Sequence, residues 1–264
     1  MSFTEHNENG LIYMKSSKIN MRHAFTTRYG GVSTGHLASL NLGSNRGDEP
    51  ENVRENWHRV CALMGVGEND CAVTKQVHKN DVRIVTLADK HICMGHVPYE
   101  ADGIVTAEKN LPIWCFVADC VPVLLCDDVH RVAGAIHCGW RSSVTDILKN
   151  AVEKMESLGA DRKSICAAIG PSIGKCCFET DRDVPDAIEK YLSGDTEGLW
   201  TQREDGKYMV DLRAANARRL MQLGLCPDNI DISDECTYCS HDKYWSHRYS
   251  KGQRGSQGAV IVID

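Results

Sequence analysis

The chain has no apolar stretch near the roughly 20 residues that a helix needs to cross a bilayer, so no membrane-spanning helix is expected. It also lacks an excess of positive charge. Its 30 Lys and Arg against 36 Asp and Glu leave a formal net charge of −6, which argues against a surface built to hold nucleic acid. The opening MSFTEHNENG is polar and mixed in charge, unlike a secretory signal. No internal repeat, low-complexity linker or composition break divides the chain, which predicts one domain over residues 1–264. Hydrophobic content of 42% and charged content of 25% are those of an ordinary globular protein. Cysteine, by contrast, is abundant. Thirteen of them, an odd number without an export signal, predict reduced thiols and a cytoplasmic location. Most read as small packing residues.

The stretch from Trp114 to Arg141 organises the reading. Two apolar runs, Ile113–Val117 and Val121–Leu125, flank Ala118-Asp119-Cys120, and a third, Val132–Ile136, leads into His137-Cys138-Gly139-Trp140-Arg141. Short runs rich in β-branched residues predict buried strands, and Pro122 excludes one continuous helix. Asp127-Asp128 and His130-Arg131 mark a polar turn, so a strand–turn–strand hairpin brings Cys120 and His137 to the same sheet edge. A thiolate beside an imidazole there makes either a Cys/His nucleophile pair or half of a metal site. The three runs are expected to be neighbouring strands.

Elsewhere, strands are predicted at Leu11–Lys15, His23–Arg28, Cys71–Val77, Val82–Leu87, Asp102–Thr106, Ser164–Ile169, Tyr208–Leu212 and Ala259–Ile263. Helices are predicted from Asp48 to Gly65, over Ser142–Leu158, Asp183–Leu192 and Arg213–Leu223. The Gly30-Gly31 turn beside Arg28 could donate N–H groups to an anion, although a plain hairpin turn is the simpler reading. His78 closes a predicted strand after Lys75-Gln76-Val77. His91, Cys93 and His96 fall in an irregular segment read as a loop. Cys176 and Cys177 are adjacent, which argues against joint chelation and for core thiols. Cys236-Thr237-Tyr238-Cys239, with His241 and His247 downstream, has the composition of a zinc knuckle but only one C-x-x-C pair. His241 or His247 could instead reach the central site. His78, Cys120 and His137, all at predicted strand ends, form a His₂Cys set that leaves one tetrahedral position open, as in a catalytic zinc site.

These motifs resemble the YfiH or laccase-domain family, also called multicopper polyphenol oxidoreductases. The resemblance rests on Phe25-Thr26-Thr27-Arg28-Tyr29-Gly30-Gly31-Val32-Ser33, Ser39-Leu40-Asn41-Leu42-Gly43, Gln76-Val77-His78, Ala118-Asp119-Cys120-Val121-Pro122-Val123-Leu124 and His137-Cys138-Gly139-Trp140-Arg141. It continues through Ile169-Gly170-Pro171-Ser172-Ile173-Gly174, Cys236-Thr237 and Ser246-His247-Arg248. It implies a single α+β domain with mixed sheets flanked by helices, similar to the catalytic domain of cytotoxic necrotizing factor toxins. A zinc site at His78, Cys120 and His137 is implied with it. Lys79 stands where the family usually has glycine, Cys138 and Ser142 replace Ala and Gly around Gly139-Trp140-Arg141, and Gly255-Ser256-Gln257 lacks the usual central arginine.

The resemblance implies phosphorolysis of adenosine, inosine, guanosine or methylthioadenosine, with accompanying adenosine deaminase activity. Arg28, Gly30, Gly31, Gln76 and Arg141 are the expected substrate-binding residues, with His78, Cys120 and His137 carrying the chemistry. The partners are then small molecules, a purine nucleoside and phosphate, with no nucleic acid or membrane. Other roles described for relatives are copper-dependent polyphenol oxidation and a cytoplasmic hydrolase that edits peptidoglycan precursors. The first would need more paired histidines than can be assembled from this sequence. The second would use Cys120 and His137 without metal. A non-catalytic, thiol-rich zinc-binding or interaction module fits less well with the glycine-rich loops and polar strand ends.

Overall fold

The computed structural model describes residues 3–90, 97 and 99–264, so the loop read around His91, Cys93 and His96 lies outside the described residues. Two sheets dominate. The first is five-stranded, in the order β1 (Phe3–Glu8), β2 (Leu11–Ser16), β3 (Arg22–Thr26), β14 (Gln257–Val262), β6 (Ile113–Val117), and is antiparallel throughout. The second is six-stranded and mixed: β13 (Ile230–Ile232), β9 (Cys166–Ile169), β7 (Val121–Asp127), β8 (Val132–Cys138), β5 (Gly103–Thr106), β4 (Val82–Ile84). A small third sheet joins β10 (Glu179–Thr180), β12 (Tyr208–Val210) and β11 (Trp200–Gln202).

The alternation of side chains along the strands explains the layering. In β14, Ala259 and Ile261 enter the core shared by the two large sheets, while Val260 and Val262 face the opposite side. There they meet Val53, Trp57 and Val60 of α1 (Pro50–Leu63). In β7, Leu124 and Cys126 join the inter-sheet core, whereas Val121, Val123 and Leu125 meet Leu148, Val152 and Met155 of α3 (Ile147–Ser157). α5 (Leu212–Gln222) and α4 (Asp183–Tyr191) contribute to this same outer cluster. The order is helix, sheet, sheet, helices, with the central strands β14, β7 and β8 buried on both faces. Such strands read as continuous apolar runs because neither face is left for water.

The predicted hairpin forms: β7 pairs with β8 antiparallel, with Val121 opposite Cys138 and Pro122 opposite His137. The run Ile113–Val117, however, is not its neighbour in the same sheet. It pairs with β14 in the other sheet and packs against the hairpin face to face. The predicted helix Ser142–Leu158 is two helices, α2 (Trp140–Val144) and α3. The break falls at Asp146, whose φ of 72° is left-handed and whose carboxylate receives the Arg219 guanidinium. Within the predicted strand Cys71–Val77, Ala72 and Lys75 form isolated bridges, to Ile113 and Glu100. No helix among the described residues is long and apolar enough to cross a membrane.

Candidate functional site

Cys120 immediately precedes β7, and His137 is the penultimate residue of β8. The antiparallel register therefore brings them to one end of the six-stranded sheet. His78 arrives from the segment before β4, with a φ of 59° that few bulky residues adopt. One carboxylate holds that conformation. Asp102 accepts backbone N–H groups from Val77 (3.0 Å), His78 (2.9 Å) and Lys79 (2.9 Å), and the Nδ1–H of His137 at 2.7 Å. The ligand atoms of His78, Cys120 and His137 all lie within 4.8 Å of one another, and the two imidazoles meet edge to face with centroids 4.7 Å apart. Gly139 leaves the space: a Cβ there would sit 3.0 Å from His78 Cδ2 and 3.5 Å from Cys120 Sγ.

The charge state of this trio follows from its contacts. Burial works against a charged His137, but the Cys120 sulfur and the Asp102 carboxylate outweigh it and hold its pKa at about 9. Burial likewise opposes the Cys120 thiolate, yet His137 and then His78 bring it down to about 6. Asp102 is buried too, but its bonds to His137 and the backbone N–H groups hold it below the usual carboxylate range. The donor set thus presents a thiolate, with His137 anchored through Nδ1 so that Nε2 faces the site. This is the arrangement in which a carboxylate orients a metal-bound histidine. Two imidazoles and a thiolate fit a zinc ion with one open position.

These residues line a cavity of about 570 Å³. Its walls come from the Leu42–Arg46 loop, Trp57 of α1, the segment Val73–Gln76, Phe116–Ala118 and the residues Arg254 and Ser256 ahead of β14. Two guanidiniums belong to it. Burial lowers the pKa of both, that of Arg254 to about 10 with Arg46 adding to the effect. Arg254 donates to Gly255 O at 3.0 Å and Ser256 Oγ at 2.9 Å. The Nε of each arginine is buried and has no hydrogen-bond partner. Among the described residues neither arginine forms an ion pair; the nearby Cys120 sulfur and Asp119 carboxylate favour the charge of Arg254 without bonding to it.

The expected substrate-binding residues are divided. Gln76 lines the cavity, with its amide bridging both backbone groups of Phe116 (2.7 Å each). Arg28 does not line it. Its guanidinium donates to Ala38 O and His241 O and lies 4.0 Å over the Trp245 ring. Gly30 and Gly31 serve close packing: a Cβ on Gly30 would fall 2.4 Å from Leu11 Cα, and one on Gly31 2.2 Å from Ser39 O. Arg141 is exposed and stacks on Trp140, outside the lining. His241 stacks on Tyr249 with centroids 3.5 Å apart, and neither it nor His247 lines the cavity. Asp119 does not line the cavity. Its carboxylate receives Thr237 Oγ1 and Arg248 N, both at 2.7 Å. Single arginines in loops, such as Arg46 and Arg254, carry no periodic signal in the sequence; the one cue is the absence of an arginine at 256.

The profile of the multi-copper polyphenol oxidoreductase laccase family matches residues 22–264. The chain is 35% identical to a purine nucleoside phosphorylase of Deinococcus radiodurans, over 96% of this chain and 94% of that one. It is 32% identical to the purine nucleoside phosphorylase YlmD of Geobacillus stearothermophilus, over 89% and 88% of the two chains. The crystal structure of YlmD from the same organism superposes with a TM-score of 0.93 at 28% identity, covering 99% of this chain and 98% of that one. YfiH of Bacillus licheniformis gives 0.90 at 26% identity, covering 98% and 99%. In sequence and in fold, the chain belongs to the multi-copper polyphenol oxidoreductase laccase family.

Proposed function

We propose that the chain is a purine nucleoside phosphorylase acting on adenosine, inosine, guanosine and methylthioadenosine, with adenosine deaminase activity at the same site. The observation that carries this reading is the make-up of one cavity: two arginines without carboxylate partners, an aromatic wall of Trp57 and Phe116, and the His78, Cys120, His137 trio. Arginines suit a phosphate dianion, and flat aromatic surfaces suit a purine. Relatives named purine nucleoside phosphorylase, 31–35% identical over most of the chain, support it.

In phosphorolysis a phosphate oxygen bonds to the sugar C1′ while the bond from C1′ to the base nitrogen breaks, its electrons leaving on the purine. Arg46 and Arg254 bind the phosphate and hold it in place against the sugar, which removes the entropy cost of bringing two reactants together. Trp57 and Phe116 orient the base. Asp102 fixes the tautomer and direction of His137 and the backbone at His78. A zinc ion held by His78, Cys120 and His137 would supply Lewis acidity for phosphorolysis and for water activation in deamination. Copper is the alternative ion for such a set. A cytoplasmic setting would keep Cys120 reduced.

A second reading rests on one observation. Cys120, His137 and Asp102 form a thiolate–imidazolium–carboxylate series, which without metal is the layout of a thiol hydrolase. The test incubates zinc-loaded protein with adenosine and phosphate and looks for adenine, ribose 1-phosphate and inosine. Appearance of adenine with ribose 1-phosphate supports phosphorolysis; inosine supports the accompanying deamination. If none of the three appears, the nucleoside reading falls. Hydrolysis of muramyl-peptide precursors by metal-free protein would then install the thiol reading.

A further inference from the structure

Four of the cysteines meet on the far side of Asp119. Cys176 and Cys177 lie in the turn between β9 and β10, and Cys236 and Cys239 in the segment after β13. Their sulfurs all lie within 4.8 Å of one another, with Cys239 Sγ 3.6 Å from Cys176 Sγ and 3.4 Å from Cys177 Sγ. The adjacency of Cys176 and Cys177, which in sequence argued against a shared ion, does not prevent their sulfurs from converging here. Tetrahedral zinc with bonds of about 2.3 Å places its sulfurs about 3.8 Å apart, so small adjustments would seat an ion among these four.

We infer that Cys176, Cys177, Cys236 and Cys239 form a closed tetrathiolate zinc site, separate from the His78, Cys120, His137 trio. The donor set is all thiolate, which selects a soft ion and leaves no position for a substrate. The site is built as structural thiolate sites are: the backbone N–H of Gly174 donates to Cys236 Sγ at 3.2 Å, orienting the buried sulfur. Cys176 and Cys239 are exposed, which gives an ion a way in.

The ion would act as a staple. The two cysteine-bearing segments already touch through a bridge between Ser172 and Cys236 and a bond from Thr237 N to Ser172 O at 3.0 Å. Both also seat Asp119, through Ile173 N to Asp119 O (3.0 Å) and Thr237 Oγ1 to its carboxylate (2.7 Å). Asp119 adopts a φ of 82° directly before Cys120. Locking the two segments together would therefore brace the turn that presents Cys120.

The test compares zinc content of wild type with that of the Cys176→Ser/Cys239→Ser double variant, both purified with reductant and without chelator. Both changed residues are exposed, so the fold should survive, and circular dichroism checks that it does. One zinc per chain fewer in the variant is expected, whatever the central trio holds. Cobalt substitution of the wild type should add the intense sulfur-to-cobalt charge transfer of a tetrathiolate site, which Cys120→Ser retains and the double variant loses down to the single-thiolate band of Cys120. Equal zinc in both proteins, or iron in place of zinc, would overturn the assignment. So would wild-type protein, thiol-blocked at lysis, whose mass reports disulfides among these four cysteines. If the double variant does not fold, the cobalt spectra of wild type and Cys120→Ser decide alone: absence of the tetrathiolate band refutes the site.

Discussion

Asp102 Oδ1 receives His137 Nδ1–H at 2.7 Å while the same carboxylate gathers three consecutive backbone N–H groups from Val77 to Lys79. One side chain thus sets the ring of one histidine and the main chain of another. Asp102→Asn keeps the shape but turns an amide NH₂ toward N–H donors. Zinc affinity should fall about 10- to 100-fold, and unfolding free energy by about 1–3 kcal/mol from unmet buried donors. Competition with a chromogenic chelator reads the first, and denaturant unfolding the second. Unchanged affinity would remove Asp102 from the site's supporting structure.

Cys120 separates the metal and nucleophile readings. As a zinc ligand its sulfur should lie about 2.3 Å from the ion, and Cys120→Ser should lose most of the zinc held by the trio. Alkylation of the wild-type thiol should be slow until the ion is chelated, then fast at neutral pH, because His137 and His78 hold it near 6. Serine variant with full zinc at the trio and no turnover would mark a nucleophile instead. Undiminished activity would sink both readings.

The arginine pair predicts a selective effect. Arg254→Gln should raise the KM for phosphate about 10- to 100-fold, the scale of a lost charged hydrogen bond. The KM for nucleoside should move much less. Steady-state kinetics with each substrate varied in turn would decide it, and equal shifts in both would argue that Arg254 only shapes the cavity.

Away from the site, His23 predicts a pH dependence of folding. Its Nδ1–H donates to Met21 O at 2.8 Å and its Nε2 accepts from Ser16 N at 3.0 Å, roles that require the neutral ring. Burial lowers its pKa to about 4. The unfolded chain takes up this proton near pH 6.5. Because the folded value is depressed for a base, its stabilising contribution is whole above 6.5 and shrinks as pH falls toward 4. The loss approaches about 3 kcal/mol. His23→Gln should be less stable than wild type at pH 8, with the gap closing toward pH 4. A constant gap in denaturant titrations would refute the assignment.

Much of the architecture was legible because burial on both faces leaves a plain mark. The runs Val121–Leu125 and Val132–Ile136, split by a polar turn, give the hairpin, and with it the meeting of Cys120 and His137. What such runs do not encode is which sheet they join. Ile113–Val117 reads like its neighbours but pairs with β14, far along the chain. Asp146 hid a helix break, because an aspartate in a helical pattern gives no sign that it will adopt positive φ. The convergence of the four thiols is hidden for a related reason: adjacency of Cys176 and Cys177 along the chain says nothing about where two loops meet. Arg28 and the Gly30-Gly31 pair drew attention as an anion cradle, yet their composition serves the close approach of β2 and the Ser39 backbone.

In the five-stranded sheet, β14 fills the place between β3 and β6 and is synthesised after both of them. On a nascent chain β3 and β6 wait without their shared partner, each with an open edge, until residues 257–262 emerge and fill the gap. The trio lies on the hairpin and on the segment that carries His78, which with Asp102 are synthesised earlier. Arg254 and Ser256 enter the cavity wall only as that final strand inserts. The order of synthesis therefore gives a growing chain Arg46 and the His78, Cys120, His137 trio before Arg254, and leaves the pocket open on one side until residues 254–262 have emerged.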